Sequence, residues 1–423
     1  MDYPCGGRRL SRRAWCRHND ALFHSRPAPP APILRFDIVI VGAGLAGASL
    51  AVALRGSPLR LALVEAHTPL PPAAGGDGRA YAVSPAGMAF LHEIGVWPHL
   101  DPARLTPVHD MHIRGDDGGA LDFAASESGA AALAWIAESG PIQRELRETV
   151  RRQPNLALFC PARPQSLQLG AASARLALAD GRVLEAGLIV GADGTDSWVR
   201  EQAGLAAQTL AYGETGVVAN FSCARPHGNA AWQWFRPDGV LAWLPLPENR
   251  VSMVWSTADA HARKLLALPA DELCRRVAAA GDMQLGALAP LSAAAGFPLR
   301  FMRVPRIIAP RLALIGDAAH AIHPLSGHGI NLGFQDARRL AGVLAAMAPH
   351  EDCGDERLLR RYERARAEET ALLQWTTHGL QQLFQPTHGL IRLARNLGLN
   401  LTDRVPVLKN ALARYAMGET PAN

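Results

Sequence analysis

The 423-residue chain has little lysine, little charge overall and no closely spaced cysteines. Its only two lysines are Lys264 and Lys409, and its arginines are dispersed beyond the first 32 residues. We therefore expect no nucleic acid partner, although the formal net charge is +5, because the folded part offers no basic stripe. The six cysteines form no C-x-x-C pair, which excludes a zinc knuckle or a dense disulfide framework and favours a reducing compartment.

Long apolar stretches are missing too. No run of about 18 apolar residues is free of turn formers, so a multi-span membrane protein is excluded. Apolar residues nevertheless make up 48% of the chain and charged residues 19%, a composition that excludes disorder throughout. The length predicts two or three domains with a substantial buried core.

The first 34 residues differ from the rest of the chain. Residues 1–32 are rich in arginine and end in a stretch of proline and alanine, without the apolar segment of a secretion signal. We predict a disordered tail over residues 1–34, and a mitochondrial transit peptide, a solvated tail and a misplaced start codon all stay open as explanations. The excess of arginine over lysine is typical of a GC-rich bacterial gene.

A strand, a glycine turn and a helix follow between Phe36 and Leu54. The apolar, β-branched residues predict a buried strand, and Gly42, Gly44 and Gly47 come directly after it. The first glycine permits a tight turn, the second lets the backbone approach a pyrophosphate, and the third lets helix and strand pack closely. Because the helix start also offers unpaired N–H groups to an anion, the pattern predicts dinucleotide binding.

A carboxylate stands at a matching distance from these glycines. The strand predicted over residues 59–64 ends in Glu65, about 20 residues further on, where a carboxylate can hold an adenosine ribose hydroxyl and disfavours a 2′-phosphate. The alternatives are a glycine turn of any α/β protein and a membrane helix over residues 38–54. The strand before, the helix after and the acid together favour the dinucleotide site, and the glycines are atypical of so short a membrane span.

Two later stretches repeat the strand and the turn. One apolar run breaks at Asp193 and Gly194, and another breaks at Gly316 and Asp317. Either pair alone is more typical of a simple turn than of a cofactor site. Together with the first glycine turn, they predict one cofactor domain assembled from separate stretches of the chain.

Several further motifs are specific for one protein family. They are Gly316-Asp317, His323-Pro324, Gly327-His328-Gly329, Asn331 and Asp336, together with residues 77–84, 91–97 and 362–366. With these motifs the chain resembles the single-component FAD-dependent aromatic hydroxylases, and most of all the ubiquinone-biosynthesis hydroxylase family, over about residues 35–418. The chain departs from that family where it has His328 instead of Gln and Ser139-Gly140 instead of an Asn-Arg pair.

The resemblance implies which residues hold FAD. Glu65 binds the adenosine ribose, Arg79 lies along the FAD, and Asp317 holds its ribityl or ribose side. Asp193 and Gly194 lie near the pyrophosphate and the access path of the nicotinamide donor. The implied cofactor-binding residues are Gly42, Gly44, Gly47, Glu65, Arg79, Asp193, Gly194, Gly316, Asp317, Pro324, Gly329, Ile330 and Asn331. The implied flavin-facing loop consists of His323, Pro324, Gly327, His328 and Gly329, and no residue stands out as a catalytic base.

The physical character of that loop agrees with such a role. Proline and glycine disfavour a helix up to Gly329, whereas the following leucine, alanine and arginine residues favour one, so a helix is predicted to begin near Ile330. Its positive end can stabilise the charge on N1 and the C2 oxygen of a reduced flavin by about 0.3–2 kcal/mol. His320 and His323 lack a third ligand at a known spacing, so we expect no metal.

The expected fold class is α/β, with a discontinuous FAD/NAD(P)-binding Rossmann-like domain of the glutathione-reductase type, a mixed or antiparallel β-sheet substrate domain and C-terminal helices. The FAD-binding domain is predicted over residues 35–108, 138–210 and 300–360, the substrate domain over residues 109–137 and 211–299, and the C-terminal helical region over residues 361–423.

Tryptophan-rich, alternating stretches within residues 212–301 predict antiparallel strands over the flavin domain. Their tryptophans form either an apolar, water-excluding lid over the substrate or ordinary core and cross-strand pairs. Leucines at three- and four-residue spacings near the C-terminus predict helices. These helices either pack on the protein's own core or rest on an anionic membrane surface or a partner protein.

The resemblance implies an FAD-dependent monooxygenase that hydroxylates the aromatic ring of a polyprenylated phenol or quinone precursor in ubiquinone biosynthesis. By the same resemblance, NAD(P)H transiently reduces FAD, molecular oxygen adds at flavin C4a, and the hydroperoxide transfers one oxygen atom to the ring while the other leaves as water. Another flavin aromatic hydroxylase, a prenyl reductase and a non-catalytic flavoprotein subunit of a quinone-synthesis complex are the alternatives. We expect a cytoplasmic bacterial protein that associates peripherally with the inner membrane.

Overall fold

The computed structural model describes residues 32–68, 80–322, 327, 329–384, 396, 398–403, 405, 409, 413, 414 and 417. In these residues the strands are, in chain order, β1 (Ile33–Val41), β2 (Leu61–Val64), β3 (Ala80–Val83), β4 (Thr106–Val108), β5 (Asp110–Arg114), β6 (Ala120–Ala124), β7 (Ala134–Glu138), β8 (Leu156–Phe159), β9 (Pro164–Leu169), β10 (Ala174–Leu178), β11 (Val183–Gly191), β12 (Gln208–Cys223), β13 (Ala230–Arg236), β14 (Gly239–Leu246), β15 (Arg250–Ala258), β16 (Leu288–Pro290), β17 (Ala295–Arg303), β18 (Ile308–Ala309), β19 (Leu312–Leu314) and β20 (His320–Ala321).

The α-helices of the same residues are α1 (Leu45–Ala53), α2 (Pro85–Glu93), α3 (Ala125–Ser128), α4 (Ser139–Arg152), α5 (Trp198–Gln202), α6 (Asp259–Leu266), α7 (Ala270–Ala280), α8 (Gly329–Ala345) and α9 (Glu356–Phe384). Single turns of 3-10 helix lie at Trp97–His99, Pro102–Arg104 and Gly316–Ala318. Further along, Asn396 and residues 398–403 are helical. Residues 405, 409, 413, 414 and 417 are also described, whereas the remaining positions of the predicted C-terminal helical region and residues 1–31 of the predicted tail lie outside the described residues.

The first sheet is mainly parallel, and its strands lie in the order β18-β19-β11-β1-β2-β8, with β10 and β9 attached beside β11. The last four residues of β1 are at most 3% exposed, which is typical of a parallel strand covered on both faces. β1 starts two residues inside the predicted tail, because Ile33 and Leu34 pair with Val183 and Leu184 of β11.

Helices cover one face of this sheet and supply much of the core. Alternate residues of β1 face opposite ways, so Ile38 and Ile40 pack against α1, α2, α4, α8 and α9. In α4 the buried residues Ile142, Leu146 and Val150 recur every fourth position, which gives the helix one apolar face. At the start of α2, the Ser84 hydroxyl accepts a hydrogen bond from the Gly87 amide at 3.2 Å and caps the helix.

The second sheet has the strand order β20-β17-β12-β15-β14-β13-β5-β6, with β16 attached to β12. Neighbouring strands are antiparallel except for the parallel pair of β13 and β5, so the antiparallel strands predicted for residues 212–301 are confirmed. Helices α6 and α7 pack on one face of the sheet. A small antiparallel sheet of β3, β7 and β4 leads through β7 into α4.

The predicted fold class is confirmed, because a Rossmann-like parallel sheet and a separate, mostly antiparallel sheet are both present. The helix predicted to begin near Ile330 begins at Gly329. Within the ranges given above, every helix is too short or too polar to cross a bilayer.

Candidate active site

Three strand ends meet at one edge of the parallel sheet. β1, β11 and β19 are parallel neighbours, with Val41 beside Gly191 and Gly191 beside Leu314. The amides that follow β11 and β19 donate to carbonyls of the adjacent strand at 2.8 and 2.9 Å, so the backbone stays paired beyond the strands. The three turns predicted to converge follow directly, and ligands of such sheets bind in the crevice beyond these carboxyl ends.

A cavity of about 1880 Å³ opens at this edge and continues beneath the second sheet. Residues of both sheets line it, which joins the turns of the parallel sheet to the face of the antiparallel one. Of the residues predicted to bind the cofactor or form the flavin-facing loop, those on the cavity wall are Gly44, Glu65, Gly194, Gly316, Asp317, Gly327, Gly329, Ile330 and Asn331. Arg79, His323, Pro324 and His328 lie outside the described residues.

Gly42 and Gly47 hold the first turn against the sheet. Gly42 has a φ of +102°, and a Cβ atom on it would lie 2.3 Å from the Ala192 carbonyl oxygen. A Cβ atom on Gly47 would lie 2.0 Å from the Gly42 carbonyl oxygen. Both glycines therefore serve close backbone packing, which keeps the start of α1 at the carboxyl end of β1.

Gly44 leaves the start of α1 open to the cavity. It is the N-cap of the helix without a capping side chain, and a Cβ atom on it would meet nothing within 4 Å. The first turn of α1 carries no acidic residue. Since the first amides of a helix lack intrahelical acceptors, this end can bind an anion such as the pyrophosphate of a dinucleotide.

Glu65 lies beside this turn at the end of β2. Its Oε2 accepts a hydrogen bond from the Ala43 amide at 2.9 Å, and its Oε1 accepts one from the His67 amide at 2.9 Å. An ionised carboxylate has about four acceptor positions, so a ribose hydroxyl can donate to one that is left. The arrangement fits the adenosine side of a dinucleotide.

Asp193 and Gly194 have different roles in the second turn. Asp193 Oδ1 accepts from the Ser197 hydroxyl at 2.5 Å and Oδ2 accepts from the Val199 amide at 3.0 Å. The Asp193 carboxylate is thus occupied in capping α5. Gly194, with a φ of +88°, lies on the cavity wall, so it is the residue of this pair that is placed against a ligand.

Asp317 presents its carboxylate to the cavity. Its side chain is exposed there, although protein crowds its other sides, and among the described residues nothing donates a hydrogen bond to it. Burial raises the pKa of Asp317, nearby His320 lowers it, and the negative charge of Asp336 raises it, with a net increase. Hydroxyl donors of a bound nucleotide would stabilise the charged form, so the position fits a ribityl or ribose contact.

A buried cluster of His320, Asp336 and Arg366 lies beneath Gly316. Asp336 Oδ2 accepts from the Gly316 amide at 2.8 Å and lies 2.6 Å from His320 Nε2, while Oδ1 accepts from Arg366 Nε at 2.6 Å. Burial acts to raise the pKa of Asp336, but His320 and Arg366 outweigh it and hold that pKa below its usual range. The cluster ties the Gly316 turn to α8 and α9.

This role of the cluster was missed in the sequence. His320, Asp336 and Arg366 lie in stretches that carry the family resemblance, but their mutual contacts join residues 16 and 30 positions apart. One feature of the sequence could have indicated it: Asp336 lies within an apolar helical pattern, and a charged residue at such a position is buried only when it has a charged partner.

Asn331 ties the start of α8 to the strand β3. Its Oδ1 accepts from the Ser84 amide at 2.9 Å, and its Nδ2 donates to the Ala82 carbonyl at 2.8 Å. The Asn331 side chain therefore fixes the position of the helix start. Gly329 begins the helix on the cavity wall, and a Cβ atom there would meet nothing within 4 Å.

The start of α4 also lines the cavity, and its polar residues were not predicted as part of the site. Gln143, Arg144 and Arg147 lie on the wall. Gln143 Nε2 donates to the Ala43 carbonyl at 2.7 Å, which fixes α4 beside the glycine turn. Apolar residues recur at every fourth position in this stretch, which predicts a helix with one buried face and one polar face. This pattern could have indicated that α4 presents polar residues to the site.

The second sheet gives the cavity an apolar wall. Val218, Ala242, Leu244 and Val254 face the cavity from three adjacent strands. Aliphatic side chains predominate on this wall, which disfavours water and suits an apolar ligand.

The tryptophans of this sheet face the other way. Trp234, Trp243 and Trp255 are 4%, 0% and 0% exposed and pack in the core with α6 and α7. Successive side chains of a strand point to opposite faces, so the residues next to them form the cavity wall instead. Of the two interpretations, core and cross-strand packing is right for these tryptophans, and the lid is wrong.

The glycine turn, the open start of α1 and the carboxylates of Glu65 and Asp317 on the cavity wall define a dinucleotide-binding flavoprotein. The sequence profile of a family described as an FAD binding domain matches residues 35–376. HpxO of Klebsiella pneumoniae, solved in complex with FAD and uric acid, has the same fold, with a TM-score of 0.69 and 18% identity over 90% of this chain and 97% of that chain.

Two curated relatives show to which group of FAD-binding proteins the chain belongs. The ubiquinone hydroxylase UbiL of Rhodospirillum rubrum is 36% identical over 391 residues, which cover 90% of this chain and 89% of the relative. The 3-demethoxyubiquinol 3-hydroxylase of Escherichia coli is 32% identical over 385 residues, which cover 90% of this chain and 98% of the relative. The chain therefore belongs to the family of FAD-dependent monooxygenases that includes these hydroxylases, with FAD as cofactor and NAD(P)H as the co-substrate typical of the family.

Proposed function

We propose that the protein hydroxylates the aromatic ring of a polyprenylated phenol or quinone precursor in ubiquinone biosynthesis, using FAD, NAD(P)H and molecular oxygen. The observation that carries the proposal is one continuous cavity, with the glycine turn and Asp317 at one end and an aliphatic sheet face at the other. Its volume of about 1880 Å³ exceeds the roughly 300–1,000 Å³ of common ligand pockets, so a dinucleotide and an apolar aromatic ligand can lie in it together. The names of the two curated relatives agree with such a substrate.

The chain contributes binding, placement and exclusion of water. When bound, FAD supplies the electron transfer and the oxygen chemistry. The open start of α1 and the carboxylates of Glu65 and Asp317 hold the nucleotide, in keeping with their free acceptor positions and space. The start of α8 at Gly329 favours negative charge next to it, which is where a reduced flavin ring gains stability. The aliphatic wall keeps water from the reacting atoms.

The protein contacts a membrane surface in this proposal. On α9, Leu372, Trp375 and Leu383 are 51%, 57% and 40% exposed, and their spacing places them on one helix face. Trp375 also contacts Phe301 of β17, so the patch continues onto the second sheet. A patch of this kind on a protein with a lipid-like substrate suits peripheral contact with the cytoplasmic side of a bacterial inner membrane.

Sedimentation with phospholipid vesicles tests this contact. Trp375→Gln and Leu372→Gln should each lower the bound fraction, whereas Leu158→Gln, at a leucine of β8 that is 40% exposed, should leave it unchanged. Equal binding of all three variants to the vesicles would contradict the proposal that this patch contacts a membrane. Loss of a co-purifying quinone-synthesis protein without loss of vesicle binding would assign the patch to a complex instead.

The substrate is tested by product mass and by complementation. Purified FAD-loaded protein should oxidise NAD(P)H and add one oxygen atom to a prenylated phenol, and the gene should restore ubiquinone in one of several strains that are each blocked at a single ring hydroxylation. Oxidation without hydroxylation of any prenylphenol would contradict the proposal. Absence of turnover together with FAD binding would favour a non-catalytic subunit.

A further inference from the structure

Two polar side chains, Gln233 and Ser252, stand within the otherwise aliphatic wall of the second sheet. Gln233, in the middle of β13, is 6% exposed and lines the cavity. It pairs across the sheet with Ala242 of β14, which in turn pairs with Val254 of β15. Its two cross-strand partners, Ala242 and Ile113, are small or aliphatic, so their side chains offer the amide no hydrogen bond.

The Gln233 amide has no partner within the part of the chain that the structure describes. An amide carries two N–H donors and one carbonyl acceptor, and burying these groups without hydrogen bonds is unfavourable. An aliphatic residue at this position would complete the wall without that cost. The placement is therefore explained if a ligand supplies the missing hydrogen bond.

We propose that Gln233 binds a ring oxygen of the aromatic substrate and so determines which ligands the cavity accepts. This inference rests on the proposed function, because it takes the ligand beneath the sheet to be a phenol or a quinone. An amide suits both, since it accepts from a phenolic hydroxyl and donates to a quinone carbonyl. The aliphatic wall contacts the ring and its prenyl tail. The hydrogen bond from Gln233 to the ring oxygen restricts rotation of the ring within its plane.

A second polar residue provides the matched control. Ser252 of β15 is 2% exposed and lies on the same wall, where it pairs with Leu244. Its hydroxyl belongs to the neighbouring row of the sheet, because Gln233 shares a row with Ala242 and Val254. Loss of the Ser252 hydroxyl should leave recognition of the ring oxygen unchanged.

The test compares two ligands with the same prenyl tail, one a phenol and the other a benzene without the hydroxyl. Their dissociation constants are measured from the change that each ligand causes in the absorbance spectrum of oxidised FAD-loaded protein. The unaltered protein should prefer the phenol by about 5- to 100-fold, the range expected when a buried partner is otherwise left unsatisfied. Gln233→Leu should reduce this preference to near unity, mainly by weakening phenol binding, and Ser252→Ala should retain it.

Folding is controlled independently of binding. The FAD stoichiometry and the circular dichroism spectrum of Gln233→Leu should match those of the unaltered protein, and Gln233→Met, unbranched and of similar volume, serves if the leucine variant does not fold. An unchanged preference in a folded variant would overturn the role of Gln233, as would a preference lost only in Ser252→Ala. Hydroxylation with no such preference would overturn this inference alone, whereas failure of both ligands to bind the unaltered protein would overturn the proposed function as well.

Discussion

Asp336→Asn should destabilise the protein, because it removes the charge and one of the two acceptor oxygens from a buried cluster. The substitution keeps the size and one carbonyl oxygen of the side chain, but it removes the negative charge between His320 and Arg366. Asp336 is 0% exposed, and the Arg366 side chain is 1% exposed, so solvent cannot replace the lost partner. Breaking a buried ion pair on one side costs about 3–5 kcal/mol. Because Arg366 keeps an ion pair with Glu369, we expect the lower end of that range.

The pH dependence follows from the direction of the pKa shift. His320 and Arg366 hold the pKa of Asp336 below its ordinary value of 3.8, against the effect of burial. A carboxyl whose pKa is lowered by folding contributes stability above the unfolded pKa and loses it as the pH falls towards the folded pKa. The difference between Asp336→Asn and the unaltered protein should therefore shrink as the pH falls below about 5.

Urea unfolding of the FAD-free protein, followed by tryptophan fluorescence and circular dichroism, measures this difference. A paired replacement, Asp336→Leu with Arg366→Met, removes both charges and should cost less than Asp336→Asn. A single-variant loss below about 1 kcal/mol, or a double variant at least as unstable as the single one, would refute the account of the cluster as a buried ion pair.

Three further predictions concern the turn, the ribose carboxylate and a buried thiol. Gly42→Ala should weaken FAD binding by at least about tenfold, because its Cβ would strike the Ala192 carbonyl in a strained φ region, whereas Gly56→Ala, with open space, should bind FAD normally in a fluorescence titration. Glu65→Gln should weaken FAD binding by about five- to tenfold, since a hydrogen bond to a charged acceptor becomes a neutral one, and an unchanged dissociation constant would exclude it from the ribose site. Burial raises the pKa of Cys353 from 9.0 to about 12, so the unfolded thiol ionises first and stability falls as the pH rises above 9. Between about pH 8 and about pH 10 the unaltered protein should lose about 1.4 kcal/mol more than Cys353→Ala, and equal losses would contradict the shift.

Local chemistry explains why the turns could be predicted from the sequence. Gly42, Gly44 and Gly47 follow an apolar strand and precede a helix, and this order fixes strand, turn and helix within a few residues. The Gly316 turn could be predicted for the same reason. Because parallel neighbours share their carboxyl ends, the convergence of these stretches also followed from the pattern.

Contacts across long sequence separations could not be predicted in this way. Nothing in the residues around Asp336 specifies that Arg366 will meet it, since that contact depends on how α9 packs on α8. The strand alternation around Trp243 separates two faces of the second sheet, but both faces are covered, one by helices and one by the cavity. Polarity along the strand therefore did not tell which face the substrate would meet. The domain boundaries stay a prediction.

The Gly316 amide is linked through Asp336 to Arg366 of α9. Helix α9 therefore supports the nucleotide-binding site, even though it begins 40 residues after the Gly316 turn. A polypeptide ending just before Glu356 would keep each glycine motif of the family. We would nevertheless expect it to emerge from purification without the yellow colour of a flavoprotein, because its third turn would have lost the anchor that holds it in shape.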